Sequence, residues 1–155
     1  MPTPIDPLRN PAQQQRSAYP FWMNEHVRWC DTDMAGHANN LAFIAFLETG
    51  RARLLQRFVV RDAAQPALLV MAELRLRFLA EAHWPDEVEV GTSVVSIGTR
   101  SCVMLQGLFV GDRCIAVAET VLVNIDTATR QSTAIPDAVK ALLLDYAPRA
   151  IGVTA

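Results

Sequence analysis

The sequence predicts an α+β domain in which an antiparallel β-sheet wraps around one long α-helix. Three observations lead there. The segment from Asn40 to Phe58 carries apolar residues at helical spacing around much of its circumference. Four later segments read as strands. The turns joining the last three strands are short, and short turns demand antiparallel neighbours.

The elements follow in chain order. Met1 to Pro20 is rich in proline and glutamine, with Pro2, Pro4, Pro7, Pro11 and Pro20. It reads as a flexible N-terminal arm over residues 1–20, outside a domain spanning 21–147, with 148–155 as a C-terminal tail. Phe21 to Trp29 reads as the first strand, with Val27 and Trp29 facing one way and His26 and Arg28 the other. A polar loop follows from Asp31 to Asn39, where Gly36 can adopt a backbone angle that other residues resist. The long helix then starts near Asn40, capped by the side chain of Asn39 or Asn40. One apolar stripe holds Leu41, Ile44, Ala45, Ala52 and Leu55; the other holds Phe43, Phe46, Leu47, Gly50, Leu54 and Phe58. A helix apolar on both stripes must be wrapped by other elements. Gly50 costs about 1 kcal/mol against alanine inside a helix, which points to a neighbouring backbone approaching closely. Glu48 and Arg51 lie one helical turn apart and can pair.

Val70, Ala72, Leu74, Leu76 and Phe78 alternate with Glu73, Arg75 and Arg77 in the second strand. His83, Trp84 and Pro85 read as a loop. Val88 and Val90 alternate with Glu87 and Glu89, and this strand runs on to Ile97. Gly98-Thr99-Arg100 turns into Ser101–Val110, and Gly111-Asp112-Arg113 turns into Cys114–Asp126. Ile135-Pro136-Asp137 opens a short last helix to Leu144.

Composition narrows the function classes. The chain has 155 residues, 51% of them hydrophobic, and a net charge of −2, which fits one folded domain with a sizeable core. No basic block stands out, so nucleic acid is not an expected partner. No apolar run reaches the roughly 18 residues needed to span a bilayer, and the N-terminus lacks the apolar core of a signal peptide, so no membrane partner is expected. Cys30, Cys102 and Cys114 form no CxxC pair; buried reduced thiols in a cytoplasmic protein are the simplest account. Arginine supplies nearly all the positive charge, with Lys140 the only lysine, and arginine suits bidentate contacts with phosphate or carboxylate.

The loop from Asp31 to Asn40 concentrates the chemistry. It sets two carboxylates, an imidazole and two side-chain amides at the start of a buried helix. Asp31 suits holding the loop by accepting hydrogen bonds, as aspartate does in turns. Asp33 is then free to face a substrate. The first amides of the helix lack intrahelical partners and carry the positive end of its dipole. A carbonyl oxygen set there is polarised, and negative charge developing on it is stabilised. A carboxylate beside such a helix start suits acyl transfer, as nucleophile or as base toward water, with His37 orienting the water or assisting the proton.

The stretch Val27-Arg28-Trp29-Cys30-Asp31-Thr32-Asp33, then Gly36-His37-Ala38-Asn39-Asn40, then Phe43, Phe46, Glu48 and Arg51, resembles the signature of hotdog-fold thioesterases of the 4-hydroxybenzoyl-CoA thioesterase type. With the later strand order and the ending around Ile135-Pro136, the resemblance covers Met23 to Leu144. It implies an acyl-CoA thioesterase that hydrolyses a thioester to free acid and CoA. By resemblance Asp33 is the catalytic carboxylate, the oxyanion contact is a backbone amide at or beside Asn40, and His37 matches a histidine of the related plant acyl-carrier-protein thioesterases. Ala35 stands where those plant enzymes carry an asparagine. Gly36 and Asn39 belong to loop structure with Asp31. CoA is expected near the turn between the middle strands, through Arg100 and Ser101, with Arg77 a further candidate. Sites in this fold usually form between two subunits, so a homodimer is expected, with a homotetramer the other option. No metal or redox cofactor is expected, and CoA enters as part of the substrate. Two other readings stay open: a hydratase or dehydratase of acyl thioesters on the same fold, and a non-catalytic acyl-CoA-binding module.

Overall fold

The computed structural model describes residues 6–59 and 67–148. After three short 3-10 turns between Pro7 and Ala18, the elements are β1 (Phe21–His26), α1 (Asn40–Val59), β2 (Leu68–Phe78), β3 (Glu87–Ile97), β4 (Ser101–Val110), β5 (Arg113–Ile125) and α2 (Asp137–Leu144). The strands form one antiparallel sheet in the order β1-β3-β4-β5-β2. The last three strands are the expected meander. β1 and β2 take its two edges, so α1, which joins them in sequence, must cross the sheet from one edge to the other. The result is the hotdog fold: an α+β arrangement with a curved sheet around a central helix. Irregular register at Met71/Glu73, Val94/Ser96 and Leu108/Phe109 adds twist and curvature.

The helix buries one of its two stripes. Phe43, Phe46 and Leu47 pack with Val88 and Val90 of β3, Leu108 of β4, and Ala116 and Ala118 of β5. Leu54 packs farther along with Phe21, Val94, Met104 and Leu122, and Val139 and Leu143 of α2 close that end. A Cβ on Gly50 would come within 2.6 Å of Val90 Cγ1 and 3.0 Å of Gln106 Nε2, so the close approach at Gly50 is made by side chains of β3 and β4 and not by the backbone expected there. Beside it Arg51 is buried, only 2% exposed. Its Nη1 donates to Gln106 Oε1 at 2.9 Å and Thr120 Oγ1 at 3.3 Å, and its Nη2 pairs with Glu48 at the rim. The second stripe is only partly covered: Leu41 is 75% exposed and Ala45 and Ala52 are exposed, while Ile44 and Leu55 are half-buried and Leu55 packs against the core. The sheet covers one side of α1, so Leu41, Ala45 and Ala52 have little cover among the described residues. The side chain of Phe58 lies outside the described residues.

Two sequence expectations need correcting. β1 stops at His26, and Trp29–Asp31 form a 3-10 turn. Val27 is fully buried while Trp29 is 72% exposed; the two do not share a face, because the chain turns once the Asp31 carboxylate takes the Arg28 amide. The expected flexible arm is also not free from Asp6 onward. Residues 6–20 lie across the face of the sheet opposite α1. Asp6 pairs with Arg75, and Arg16 pairs with Glu89 at 2.8 Å. Tyr19 is buried in a slot over Gly91 and Gly107, where a Cβ added at either glycine would come within 2.7 Å of its ring. Its hydroxyl donates to Gln13 O at 2.6 Å, and its ring meets those of Trp22 and Phe109 edge-on. Polar composition does not forbid packing when one aromatic anchors the segment. The first five residues of the arm, and the tail beyond Pro148, lie outside the described residues. Among the cysteines, Cys102 is buried and Cys114 half-buried, and burial pushes each thiol up to about 11; Cys30, by contrast, is exposed. No helix among the described residues is long and apolar enough to cross a membrane.

Tyr19→Ala tests the packed segment. Emptying the slot should cost about 3 kcal/mol, seen as a lower urea midpoint at an unchanged slope. A loosely attached arm would leave the midpoint where it is.

Candidate active site

The loop before α1 is held by hydrogen bonds that its own sequence supplies. Asp31 is buried. Its Oδ2 accepts the Arg28 backbone N–H at 2.8 Å and Nε at 2.9 Å, while Oδ1 accepts Nη2 at 2.7 Å. This pairing with the Arg28 guanidinium holds the Asp31 carboxyl below the usual carboxylate range. The Asp31 carbonyl in turn accepts the backbone and side-chain N–H groups of Asn39 at 2.8 and 2.7 Å. Asn39 Oδ1 accepts the Ala42 N–H at 3.0 Å, which caps α1. Asp31 and Asn39 thus fasten the two ends of the loop to each other and to the helix.

Between those ends the chain folds back. Thr32 bridges Ala38, the Asp33 N–H donates to His37 O at 2.9 Å, and Gly36 turns the chain with φ +80°. A left-handed angle of this kind favours glycine. Asp33 Oδ1 accepts the amide N–H of Ala35 at 2.8 Å and of His37 at 3.3 Å. Among the described residues Oδ2 has no hydrogen-bond partner, so one oxygen of Asp33 is anchored and the other is open.

The open side faces a cleft of about 590 Å³, lined by Asp33, His37, Asn40 and Phe43 on one side and by Phe78, Leu79, Ala80, Glu81, His83 and Arg113 on the other. Phe43 and Phe78 stack edge-to-face at 5.2 Å and form an apolar wall. Asn40 is the first residue of α1. Its amide and that of Leu41 have no intrahelical acceptor, so the positive end of the helix lies at the cleft that also holds Asp33. A carboxylate, a helix N-terminus and an imidazole around an apolar-walled cleft can polarise a carbonyl and deliver or activate a nucleophile.

Asp33, His37 and Asn40 are therefore brought together, with Asp31, Gly36 and Asn39 as their frame. Arg100 and Ser101 are not. They sit at the β3–β4 turn, whereas the cleft is bounded by the loop before β3. The 11-residue strand between them spans roughly 35 Å. Arg77 points to the opposite face and donates to Leu8 O at 3.2 Å. Glu81, His83 and Arg113 were missed as cleft residues. Glu81, Ala82 and His83 alternate exposed, buried and exposed, but nothing local in the sequence signals that this segment joins the His37 loop.

Comparison with known proteins fits this architecture. The family model of the thioesterase-like superfamily matches residues 27–143, and the chain belongs to that superfamily as a hotdog-fold member. The PA5185 protein from Pseudomonas aeruginosa strain PAO1 superposes with a TM-score of 0.78 at 24% identity, covering 88% of this chain and 97% of its own. A thioesterase from Thermus thermophilus, whose crystal structure is complexed with coenzyme A and Zn, gives a TM-score of 0.73 at 26% identity over 81% of this chain and 98% of its own. The uncharacterized protein YsmA of Bacillus subtilis (strain 168) is 22% identical over 136 residues, 86% of this chain and 92% of its own.

Asp31→Asn tests the frame. Because folding depresses the Asp31 value, its contribution is full above the unfolded aspartate value of about 3.9 and is lost as pH falls through the folded value. The Arg28 side chain is half exposed, so the variant should lose only about 1–2 kcal/mol at pH 7. Chemical denaturation across pH should show the gap to wild type closing below about pH 4.

Proposed function

We propose that the chain is an acyl-CoA thioesterase. One observation carries this reading: the Asp33 carboxylate, anchored through Oδ1 and open at Oδ2, lies in one cleft with the start of α1. The thioester carbonyl oxygen binds at the free amides of Asn40 and Leu41, where the helix dipole stabilises the negative charge that develops as the carbonyl carbon turns tetrahedral. Asp33 either attacks that carbon or takes a proton from the attacking water. The C–S bond then breaks and the sulfur leaves as CoA thiol. On the base route it takes up the proton that Asp33 drew from water. On the nucleophile route it takes a proton from His37 or water, after which a water hydrolyses the acyl–Asp33 anhydride to the free acid and restores the carboxylate. The acyl group lies against Phe43 and Phe78. The coenzyme A held by the Thermus thermophilus relative supports CoA as the carrier.

A second copy of the chain completes the site in this reading. Within one chain, Arg100 and Ser101 are too far from Asp33 to hold the same CoA headgroup, so their role requires a second subunit whose turn reaches the cleft. The exposed part of the second stripe of α1, Leu41 above all, with Trp29, Met34 and Trp84 also exposed, supplies apolar surface for such an assembly. Self-association as a dimer or tetramer and a cytoplasmic location are part of the same proposal.

Asp33→Asn should lower kcat/KM by about 100-fold or more, measured as thiol release from short, long and aromatic acyl-CoAs. Equal hydrolysis by the variant overturns the role of Asp33. Hydration of an enoyl-CoA without thiol release, or tight binding without turnover, overturns the hydrolase itself.

A further inference from the structure

Of the three histidines in the chain, two meet at the mouth of the cleft. His37 Nε2 lies 3.4 Å from Glu81 Oε2, and His83 Nε2 lies 3.9 Å from the same oxygen. The two imidazole rings stand edge-to-face with centroids 5.0 Å apart. The backbone enforces this meeting. His37 and His83 are partners in an antiparallel bridge, and Ala38 N donates to Ala82 O at 2.7 Å beside it. Bridge partners carry their side chains on the same face. Glu81 is two residues before His83, and Ala82 between them is buried, so Glu81 and His83 also share a face. Asp86 holds the segment by accepting the His83 N–H at 2.9 Å.

We propose that His37, Glu81 and His83 form a binding site for one divalent cation of the zinc class. Two imidazole nitrogens and a carboxylate oxygen are the ligand types of a borderline cation, and two histidines with one glutamate is a known three-ligand set that leaves a position open for water or substrate. Ligand spacing agrees. Zinc–ligand bonds of about 2.0–2.1 Å in a tetrahedron put neighbouring ligand atoms roughly 3.4 Å apart. One pair already stands at 3.4 Å, the second at 3.9 Å, and all three donor atoms lie within 4.8 Å of one another. Side-chain exposures of 36% for His37, 62% for Glu81 and 50% for His83 let an ion enter and let the rotamers close the remaining gap without moving the backbone. All three residues line the cleft, where Asp33 and Arg113 supply the other charges. The site goes beyond the thioesterase reading, and its test does not depend on thioester hydrolysis.

The test titrates the metal-free full chain with Co²⁺, whose visible ligand-field absorption reports tetrahedral coordination, and then displaces it with Zn²⁺. The expected result is saturation at one equivalent. Glu81→Gln and His83→Gln should each weaken binding by more than about tenfold with unchanged far-UV circular dichroism. Cys30→Ser, which removes the exposed thiol, should bind as wild type does. A measurement on the wild type alone stands beside these variants. Zn²⁺ should shift the ring NMR signals of His37 and His83 together, saturating at one equivalent, while those of His26 stay in place. Absence of saturable binding, binding that follows Cys30, or zinc shifts that leave His83 unmoved would each overturn the site and leave an ordinary histidine–carboxylate pairing.

Discussion

Burial of the Arg51 guanidinium beneath α1 sets how helix and sheet meet. A charge taken out of water must be answered by hydrogen bonds at defined positions, or it costs several kcal/mol. Here Gln106 on β4 and Thr120 on β5 answer one nitrogen, and Glu48 answers the other from the rim. Gln106 passes the constraint on, donating through Nε2 to Leu47 O at 3.0 Å and Thr92 Oγ1 at 3.2 Å. Helix, β3, β4 and β5 thus share one polar network inside an otherwise apolar core. Apolar contacts alone tolerate sliding; a network in which each donor has one acceptor does not. The absence of a Cβ at Gly50 lets the helix come close enough for those bonds to form.

The candidate site inherits that constraint. With the height and rotation of α1 fixed over the sheet, its N-terminus has one place to be, and Asn39 ties the loop to it. Asp31 closes the loop against Arg28, which leaves Asp33 at the tip with one oxygen anchored and the other open. The same loop meets the chain before β3 through the His37–His83 bridge. Rigid elements and two short loops hold the polar groups of the cleft, which is how a site keeps its geometry without bound ligand.

Much of this was legible in the sequence wherever the interaction is local. A cap from Asn39 or Asn40, the Glu48–Arg51 pair and the turn at Gly36 all act within a helical turn or a tight loop, and residue type at fixed spacing states them directly. The meander was legible for the same reason, because two short turns leave the intervening strands no choice but to pair. The end of β1 was not, since strand alternation through Trp29 looks intact until a carboxylate three residues on from Arg28 captures its amide. The segment 6–20 was misread because its anchor, Tyr19, is held by a slot that Gly91 and Gly107 make on two different strands.

By itself the sequence determined the class of fold, the two apolar stripes of α1, and the loop that carries the carboxylate and the imidazole. Those features follow from periodicity, capping and turn chemistry, which neighbouring residues decide among themselves. Tertiary structure alone decided that Glu81 and His83 stand beside His37, that the turn carrying Arg100 and Ser101 lies away from the cleft, and that part of the second apolar stripe of α1 is left uncovered. Each depends on how distant strands pair and on which face of the helix the sheet reaches. Such long-range placement is settled by the shared packing of the whole core, and no short stretch of sequence contains it.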